Sequence, residues 1–280
     1  MNQNITTVFD DLVQALTSIY GAGEAESICN ILFEDLLRIS RTIRLVDPEK
    51  NLSLEEIELL ENARTRLINH EPVQHIVGFA YFCDHPFKVT PDTLIPRPET
   101  EELVYLISRE NKGNLKILDI GTGTGCIPIS LKLMMNDAEV SGWDISGKAL
   151  TIARENAKDL SANVEFEKMN ALNIDSNEKF DIVVSNPPYI PLSDKDSMHQ
   201  NVLNFEPGLA LFVQDNDPLL FYRRIAEFGK TNLNPAGKLY FEIHERFGSE
   251  TKDLLMYLGY QDVVIIKDLN GKDRMIRARL

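Results

Sequence analysis

The spacing of apolar positions divides the chain into a helical first part and a longer part in which strands alternate with helices. Over residues 8–19 and 28–39, apolar side chains recur at helical intervals, which predicts two amphipathic helices. Ser53 and Glu56 have the spacing of a capping box, which predicts the start of a third helix. We therefore expect residues 1–72 to form a small helical-bundle domain, either structural or a docking domain for a substrate.

The pattern changes at residues 73–98, which we interpret as a β-hairpin and a proline-rich linker between two domains. Short strand-like pieces interrupted by glycine and aspartate are typical of a hairpin. These pieces are residues 74–77, 81–82 and 87–89. The prolines that follow stiffen the chain. A helix is predicted to begin after them, at Glu99 or Thr100.

Residues 99–280 alternate between short apolar runs and longer amphipathic segments. Such alternation is typical of an α/β domain with a parallel, doubly wound sheet. The predicted strands are residues 116–120, 138–143, 164–167, 180–185 and 238–243, with residues 262–267 and 274–279 as a closing antiparallel pair. The predicted helices include residues 127–135, 146–160 and 246–258, and a further helix capped by Asp217.

Charge and the positions of cysteine and histidine narrow the classes of function. The 280 residues carry a formal net charge of -14, and an acidic surface repels phosphate backbones, so direct nucleic-acid binding is not expected. Cys29, Cys83 and Cys126 lie far apart, and neither they nor the histidines have metal-binding spacing, so no metal is expected. Without a membrane-spanning apolar run or a signal-peptide pattern, the sequence favours the cytoplasm and no membrane partner.

The first predicted strand runs into a glycine-rich turn at residues 118–125, Leu-Asp-Ile-Gly-Thr-Gly-Thr-Gly. Glycines let the backbone approach a ligand closely, and the following helix offers free N–H groups at its start. The Gly-x-Gly-x-Gly spacing differs from the pattern that holds the pyrophosphate of a nicotinamide dinucleotide, and a plain tight turn is the alternative interpretation. The candidate cofactor-binding residues here are Asp119, Gly121, Thr122, Gly123, Thr124 and Gly125.

Two later positions suit a ligand that carries a nucleoside. Asp144 ends the second predicted strand, where a carboxylate accepts hydrogen bonds from ribose hydroxyls. The alternative role, capping the next helix, suits Ser146 better. Asn170 and Ala171 follow the third predicted strand, and the same geometry would place them beside an adenine.

The fourth predicted strand ends in Asn186-Pro187-Pro188-Tyr189. Two prolines remove two backbone donors and stop the strand, and Asn186 is pushed to extended geometry because a proline follows it. An amide side chain, carbonyl groups and an aromatic ring are thereby presented at the carboxyl edge of the sheet, where α/β proteins bind ligands. The alternative is a proline-rich turn without chemistry, and the upstream glycine loop favours the functional interpretation.

The glycine loop, Asp144 and the Asn-Pro-Pro-Tyr motif together resemble those of class I S-adenosylmethionine-dependent methyltransferases that act on a planar nitrogen. Residues 94–101, Leu-Ile-Pro-Arg-Pro-Glu-Thr-Glu, and residues 206–211, Glu-Pro-x-x-Ala-Leu, narrow the resemblance. They are similar to the protein-(glutamine) methyltransferases that modify peptide chain release factors, the PrmC/HemK family. The likeness covers nearly the whole chain. His244 stands where this family usually has glycine, and Ala171 where a larger residue is common.

The resemblance implies a Rossmann-like, mostly parallel, seven-stranded sheet with S-adenosyl-L-methionine as cofactor and S-adenosyl-L-homocysteine as product. It implies that the methyl acceptor is the glutamine of the Gly-Gly-Gln loop of class-one release factors. The helical domain would grip the release factor away from the active site, and Arg97 and Glu99 would shape the substrate pocket or stiffen the connector. We expect a monomer.

The resemblance also implies roles for the Asn-Pro-Pro-Tyr residues. The side-chain oxygen of Asn186 and the carbonyl oxygen of Pro187 would accept the two N–H bonds of the glutamine amide. Tyr189 would stack on the flat amide, and Pro188 would keep the loop rigid. Asn186 is also a candidate cofactor-binding residue. No general base is required, because the nitrogen becomes acidic as it is methylated.

Two other classes of function remain. A methyltransferase for the amino group of a DNA or RNA base uses a similar clamp, the Asn-Pro-Pro-aromatic motif that holds a planar nitrogen. A basic face or a target-recognition domain would distinguish such an enzyme. A non-catalytic module that binds S-adenosylmethionine predicts loss of the clamp or of the ribose acid. Asn186, Tyr189 and Asp144 are all present in this chain.

Overall fold

The computed structural model describes residues 3–280, which form two compact units. One unit runs to Phe79 and also includes His199–Phe205. The other comprises Ala80–Met198 and Glu206–Leu280. The domain limits at residues 72 and 98 remain predictions. Within residues 3–280, no helix is both long and apolar enough to cross a lipid bilayer.

The first unit is helical, and side chains cap three of its helices. Asn4 Oδ1 accepts a 2.8 Å hydrogen bond from the Thr7 N–H at the start of the first helix. Ser53 and Glu56 form both hydrogen bonds of the predicted capping box, which confirms that prediction. The helices are α1 (Ile5–Tyr20), α2 (Ala22–Ile31), α3 (Arg41–Val46), α4 (Leu54–Ile68) and α5 (Val73–Val77), with a π-helical turn at Leu32–Leu36. Their apolar faces enclose one core that includes Ile5, Leu16, Leu32, Phe33 and Leu67.

The prediction for residues 73–98 is partly wrong. Residues 74–77, predicted as a strand, lie in α5, which follows Pro72 and ends at Gly78 with a φ of 88°. A short apolar run does not distinguish a strand from one helical turn, and here the left-handed glycine ends a helix. The hairpin itself is confirmed, as β1 (Phe79–Phe82) pairs with β2 (His85–Lys88).

The second unit is built on a seven-stranded sheet, which confirms the predicted fold class. In chain order the further strands are β3 (Lys116–Ile120), β4 (Glu139–Asp144), β5 (Val164–Lys168), β6 (Phe180–Ser185), β7 (Ile190–Pro191), β8 (Phe212–Val213), β9 (Leu233–Glu242), β10 (Gln261–Lys267) and β11 (Asp273–Arg279). The order in the large sheet is β10-β11-β9-β6-β3-β4-β5, and the short strands β7 and β8 pair separately. Only β11 runs antiparallel to its two neighbours in this sheet. The predicted closing pair is therefore confirmed.

Helices cover both faces of this sheet, since successive residues of the central strands point to opposite sides. Ile117 packs in one buried cluster with Leu103 and Ile129, and Leu118 packs in the other with Ile225. The further helices of the chain are α6 (Pro98–Glu110), α7 (Cys126–Met134), α8 (Gly147–Asp159), α9 (Gln200–Phe205), α10 (Leu220–Asn232) and α11 (Gly248–Tyr257). Of these, α9 belongs to the first unit.

Three predicted boundaries are wrong for local physical reasons. Helix α6 begins at Pro98, before Glu99, because a proline at the first helical position loses no hydrogen bond. Helix α10 begins at Leu220, and Asp217 does not cap it but pairs with Arg223 through two 2.8 Å hydrogen bonds. Strand β9 begins at Leu233, well before the predicted start.

The strand order positions the functional site. From β3 the chain proceeds to β4 and β5 on one side, and then returns to β6 and β9 on the other. The order therefore reverses at β3, and a crevice opens at the carboxyl ends of β3, β4 and β6, which is where α/β proteins bind ligands.

Candidate active site

A cavity of about 280 Å³ lies at the carboxyl ends of the central strands. Four of the predicted segments meet in it, although they are far apart in the sequence. The lining includes Gly121 and Gly123 after β3, Asp144 at the end of β4, Asn170 and Ala171 after β5, and Asn186, Pro187 and Pro188 after β6. The candidate residues Asp119, Thr122, Thr124, Gly125 and Tyr189 are not part of this lining.

The three glycines of the loop serve two purposes. Gly121 and Gly123 have φ values of 81° and 54°, and a Cβ atom on either would meet no atom within 4 Å, so their backbone is open to a ligand. Gly125, with a φ of 79°, faces the protein instead, and a Cβ atom there would lie 2.9 Å from Ile129 Cδ1. The loop therefore exposes bare backbone to the cavity at two positions and packs tightly at the third.

Asp144 holds the loop and leaves acceptor capacity facing the cavity. Its Oδ2 accepts a 2.9 Å hydrogen bond from the Gly123 N–H, and its Oδ1 accepts a 2.8 Å bond from the Ser146 N–H. The cap of α8 is Ser146, whose hydroxyl oxygen accepts from the Ala149 N–H at 3.2 Å. A carboxylate has about four lone-pair sites, so each Asp144 oxygen can accept a further hydroxyl. Burial raises the pKa of Asp144, and the backbone hydrogen bonds oppose that shift.

Asp119 lies in β3, two residues before the first glycine of the loop, and is fully buried. Neither of its carboxylate oxygens has a hydrogen-bond partner among residues 3–280. Burial raises the pKa of Asp119 to about 7, and the side chain of Thr122 opposes the shift. A buried acid with unsatisfied oxygens beside a glycine loop suits a ligand that brings a donor or a positive charge.

The segment after β5 contributes shape to the cavity. Met169, Asn170, Ala171 and Leu172 all line it. Asn170 Oδ1 accepts a 2.9 Å hydrogen bond from the Leu172 N–H, so that side chain also closes its own turn. A contact of Asn170 or Ala171 with adenine remains a prediction.

The Asn-Pro-Pro-Tyr segment is held by side chains from two other elements. Asn186 Nδ2 donates a 3.2 Å hydrogen bond to Thr100 Oγ1 on α6. Thr100 in turn donates a 2.6 Å bond to Glu242 Oε2 at the end of β9. The hydroxyl of Tyr189 donates a 3.1 Å bond to the other carboxylate oxygen of Glu242. Burial raises the pKa of Glu242, while the two hydroxyl donors oppose that shift.

Thr100 and Glu242 are site residues that the sequence patterns do not predict. Thr100 was expected only to start a helix, and Glu242 lies within the predicted strand 238–243. An acidic residue at the carboxyl end of a buried strand is nevertheless unusual, since an ionised carboxylate is rarely buried without partners. That position was the one signal in the sequence for this part of the site.

The connector before α6 is held by a buried acid. Glu206, whose side chain is 1% exposed, forms an ion pair with Arg97. Its Oε2 also accepts a 3.1 Å hydrogen bond from the Ile95 N–H. The following residues Pro207, Leu209 and Ala210 line the cavity. The two segments that carry the family resemblance, residues 94–101 and 206–211, are therefore bonded to each other beside the site.

His244 packs against the ring of Tyr189. Its ring lies 5.7 Å from that of Tyr189 at an interplanar angle of 82°. His244 Nδ1 accepts a hydrogen bond of 3.1 Å from the Arg246 N–H, and burial lowers the pKa of the imidazole. The histidine in place of glycine thus gives Tyr189 an edge-to-face neighbour.

Comparisons with known proteins agree with this geometry. The model of a methyltransferase domain matches residues 111–252, and that of the PrmC N-terminal domain matches residues 9–78. A release factor glutamine methyltransferase of Bacteroides thetaiotaomicron is 46% identical over 267 residues, covering 95% of this chain and 96% of the relative. The protein of the same name from Flavobacterium psychrophilum is also 46% identical, over 274 residues and 95% of both chains.

A solved structure supports the fold. A methyltransferase of Pyrococcus furiosus superposes with a TM-score of 0.55 at 18% identity, covering 78% of this chain and 98% of that one. At such low identity the likeness concerns the fold alone. The two relatives at 46% identity match almost the full length of the chain. The chain therefore belongs to the family of release factor glutamine methyltransferases.

Proposed function

We propose that this protein transfers a methyl group from S-adenosyl-L-methionine to the side-chain amide nitrogen of a release-factor glutamine. The acceptor is the glutamine of the Gly-Gly-Gln loop of class-one release factors, as the family resemblance implies. One observation carries the proposal. Asn186 and Pro187 border the same cavity as the exposed glycine loop and Asp144. A clamp for a planar amide thus adjoins a site suited to a nucleoside cofactor.

The cavity residues fit the cofactor in three respects. Bare backbone at Gly121 and Gly123 admits the amino acid portion of the ligand at close range. Asp144 has free lone pairs for two ribose hydroxyls. The carboxyl group of Asp119, two residues before the first loop glycine, has no hydrogen-bond partner among residues 3–280 and so leaves acceptor atoms available beside the loop. When bound, S-adenosylmethionine supplies an electrophilic sulfonium methyl group.

The protein's own contribution is positioning. An amide nitrogen is a poor nucleophile, because its lone pair is delocalised into the carbonyl group. Two acceptors, Asn186 Oδ1 and the Pro187 carbonyl oxygen, bind the two N–H bonds and orient the face of the nitrogen. They also stabilise the positive charge that develops on the N–H bonds. The acidified nitrogen then releases its proton to solvent water, so no strong base is needed.

Tyr189 contributes to the clamp from beside the cavity. Its hydroxyl is engaged with Glu242, and its ring abuts His244, so the side chain is held on two sides. We propose that the ring packs on the flat acceptor amide, and that Pro188 keeps the loop rigid. The helical unit, matched by the PrmC N-terminal domain, binds the release factor. Translation factors act in the cytoplasm, so we place the reaction there, with a monomeric enzyme.

The test is mass spectrometry of a purified class-one release factor incubated with this protein and S-adenosylmethionine. We expect a single added methyl group on the Gly-Gly-Gln glutamine and none when that glutamine is replaced by alanine. The variant Asn186→Ala should lose the modification. Asn136→Ala is the matched control, because Asn136 is exposed and lies outside the cavity. Methylated DNA or RNA with an unmodified release factor would instead establish the nucleobase enzyme.

A further inference from the structure

The buried carboxylate of Glu242 is connected by hydrogen bonds to Asn186, through Thr100, and directly to Tyr189. Glu242 is 2% exposed and Thr100 is 3% exposed. The Glu242 Oε2 atom accepts from the Thr100 hydroxyl at 2.6 Å, and Oε1 accepts from the Tyr189 hydroxyl at 3.1 Å. Thr100 also accepts from Asn186 Nδ2 at 3.2 Å. The proposed function uses Asn186 and Tyr189 but gives Thr100 and Glu242 no role.

The chemistry of these groups fixes the direction of every hydrogen bond. An ionised carboxylate only accepts, so both hydroxyl protons point at Glu242. A threonine hydroxyl has a single proton, and once that proton is given to Glu242 only lone pairs remain for Asn186. Asn186 must therefore present its NH₂ group to Thr100. Its oxygen is turned away from Thr100 and remains an acceptor.

This direction matters because a carboxamide has nearly the same shape after a half-turn about its last bond. The two orientations exchange an acceptor for two donors at the same place. In one of them Asn186 accepts an N–H bond of the substrate amide, and in the other it opposes that bond with a donor. Nothing in the shape of Asn186 itself selects the productive orientation.

This ordering needs the charged form of Glu242, which burial opposes by raising its pKa and which its polar neighbours stabilise. Two hydroxyl donors and the positive charge of Arg274 oppose the effect of burial on its pKa. The backbone is held as well, since the Tyr222 hydroxyl donates to the Glu242 carbonyl oxygen at 3.2 Å. A buried carboxylate is costly unless such partners satisfy it. Here the partner Tyr189 belongs to the clamp, and the partner Thr100 contacts Asn186 of the clamp.

We propose that Thr100 and Glu242 are positioning residues that set the carboxamide orientation of Asn186 and anchor the ring of Tyr189. They act through these two residues and do not contact the substrate. The inference rests on the proposed function as far as the methyl acceptor is concerned. It also makes the site selective, since an oriented acceptor favours a substrate that brings N–H donors over one, such as a glutamate side chain, that brings none.

The test compares Thr100→Val with Thr100→Ser. Valine keeps the shape but removes the hydroxyl, so the Asn186 carboxamide loses its orienting acceptor, and serine keeps that acceptor. We expect kcat to fall about 100-fold in Thr100→Val, as for a small misplacement of a reacting group, with KM for the release factor within a few-fold of wild type. Thr100→Ser should stay within a few-fold of wild type. Glu242→Gln should also lower kcat, because its amide group brings a donor to one of the two hydroxyls.

The control for removing a buried threonine hydroxyl is Thr251→Val. Thr251 on α11 is fully buried, and its hydroxyl has no hydrogen-bond partner among residues 3–280. We expect this variant to keep the wild-type kcat. Calorimetric titration with S-adenosylmethionine gives the active fraction from its stoichiometry, and the affinity should stay within a few-fold of wild type in all variants. A purely structural role of Thr100 would lower that fraction and the melting temperature, but not kcat per active site.

A second readout does not depend on the substrate. In ¹⁵N-labelled protein, the side-chain NH₂ signals of Asn186 can be assigned by their disappearance in Asn186→Ala. We expect these signals to shift in Thr100→Val and to stay near their wild-type positions in Thr100→Ser and Thr251→Val. Unshifted signals in Thr100→Val would overturn the inference, and so would a wild-type kcat. If the release factor is not methylated while the signals shift as expected, the proposed substrate is wrong and the positioning inference stands.

Discussion

The carboxylate of Asp144 accepts a hydrogen bond of 2.9 Å from the backbone N–H of Gly123. This bond joins the end of β4 to the loop that follows β3, the two segments from which the sequence predicts a cofactor site. Asp144 thereby shapes the loop as well as offering lone pairs to a ligand. Cofactor affinity should consequently depend on the carboxylate, and not merely on a polar side chain of the same size.

The substitution Asp144→Asn tests this dependence. The variant keeps the shape, but its NH₂ group must face an N–H donor of either Gly123 or Ser146, so one loop contact becomes repulsive. We expect the dissociation constant for S-adenosylmethionine to rise about 10- to 100-fold, which corresponds to the loss of hydrogen bonds to a charged group. Isothermal titration calorimetry measures this. Asp137→Asn, at an exposed position, serves as the control, and equal affinities of the two variants would contradict the prediction.

The third glycine of the loop should matter for stability. Gly125→Ala places a methyl group 2.9 Å from Ile129 Cδ1 and requires a φ of 79° that alanine disfavours. We expect a loss of about 2–4 kcal/mol in the free energy of unfolding, from strain and overpacking together. Urea denaturation followed by circular dichroism measures it. Gly147→Ala is the matched control, because Gly147 starts α8 and a Cβ atom there meets nothing within 4 Å.

The buried acid before the loop predicts a pH dependence of stability. Because burial raises the pKa of Asp119 from 3.8 to about 7, the folded state keeps a proton that the unfolded state releases. The contribution of this group is therefore fully present below about pH 4, decreases as the pH rises and is lost above about pH 7. Its size is on the order of 4 kcal/mol at most, from about three pKa units.

The variant Asp119→Asn isolates this contribution, since asparagine does not titrate. Without cofactor, the free energy of unfolding of the wild type should decrease relative to that of the variant between pH 5 and pH 8. Urea denaturation at both pH values gives this difference, and any pH-independent cost of the amide group cancels. Two parallel pH profiles would show that the Asp119 carboxyl group titrates normally.

The ion pair between Arg97 and Glu206 should stabilise the folded protein, because it holds the connector that precedes α6. Glu206 is buried, so removing Arg97 leaves a charged group with fewer partners. We expect Arg97→Ala to destabilise the protein by about 1–3 kcal/mol more in the wild type than in a Glu206→Gln background. A double-mutant cycle by thermal or urea denaturation measures this coupling. Additive effects of the two substitutions would show that the pair contributes nothing of its own.

The periodicity of the sequence was sufficient to locate most of the second unit. The strands Lys116–Ile120 and Phe180–Ser185 begin and end where the apolar runs predict, because a strand buried on both faces requires a continuous apolar run. The glycine loop and the Asn-Pro-Pro-Tyr segment were equally evident, since glycine and proline act on the backbone at their own positions. Short elements were less predictable. The five-residue helix Val73–Val77 was mistaken for a strand, because one turn contains too few positions to show a period.

The orientation of the clamp was decided only by the tertiary structure. Thr100 and Glu242 are 142 positions apart in the sequence, yet they form a hydrogen bond of 2.6 Å that reaches Asn186 and Tyr189. Local patterns cannot encode such a bond, because they report which face of an element is buried and not which polar groups meet there. The sequence by itself determined the fold, the family and some of the residues that line the cavity. The packing of α6 and β9 around β6 determined which atoms of those residues are free to act.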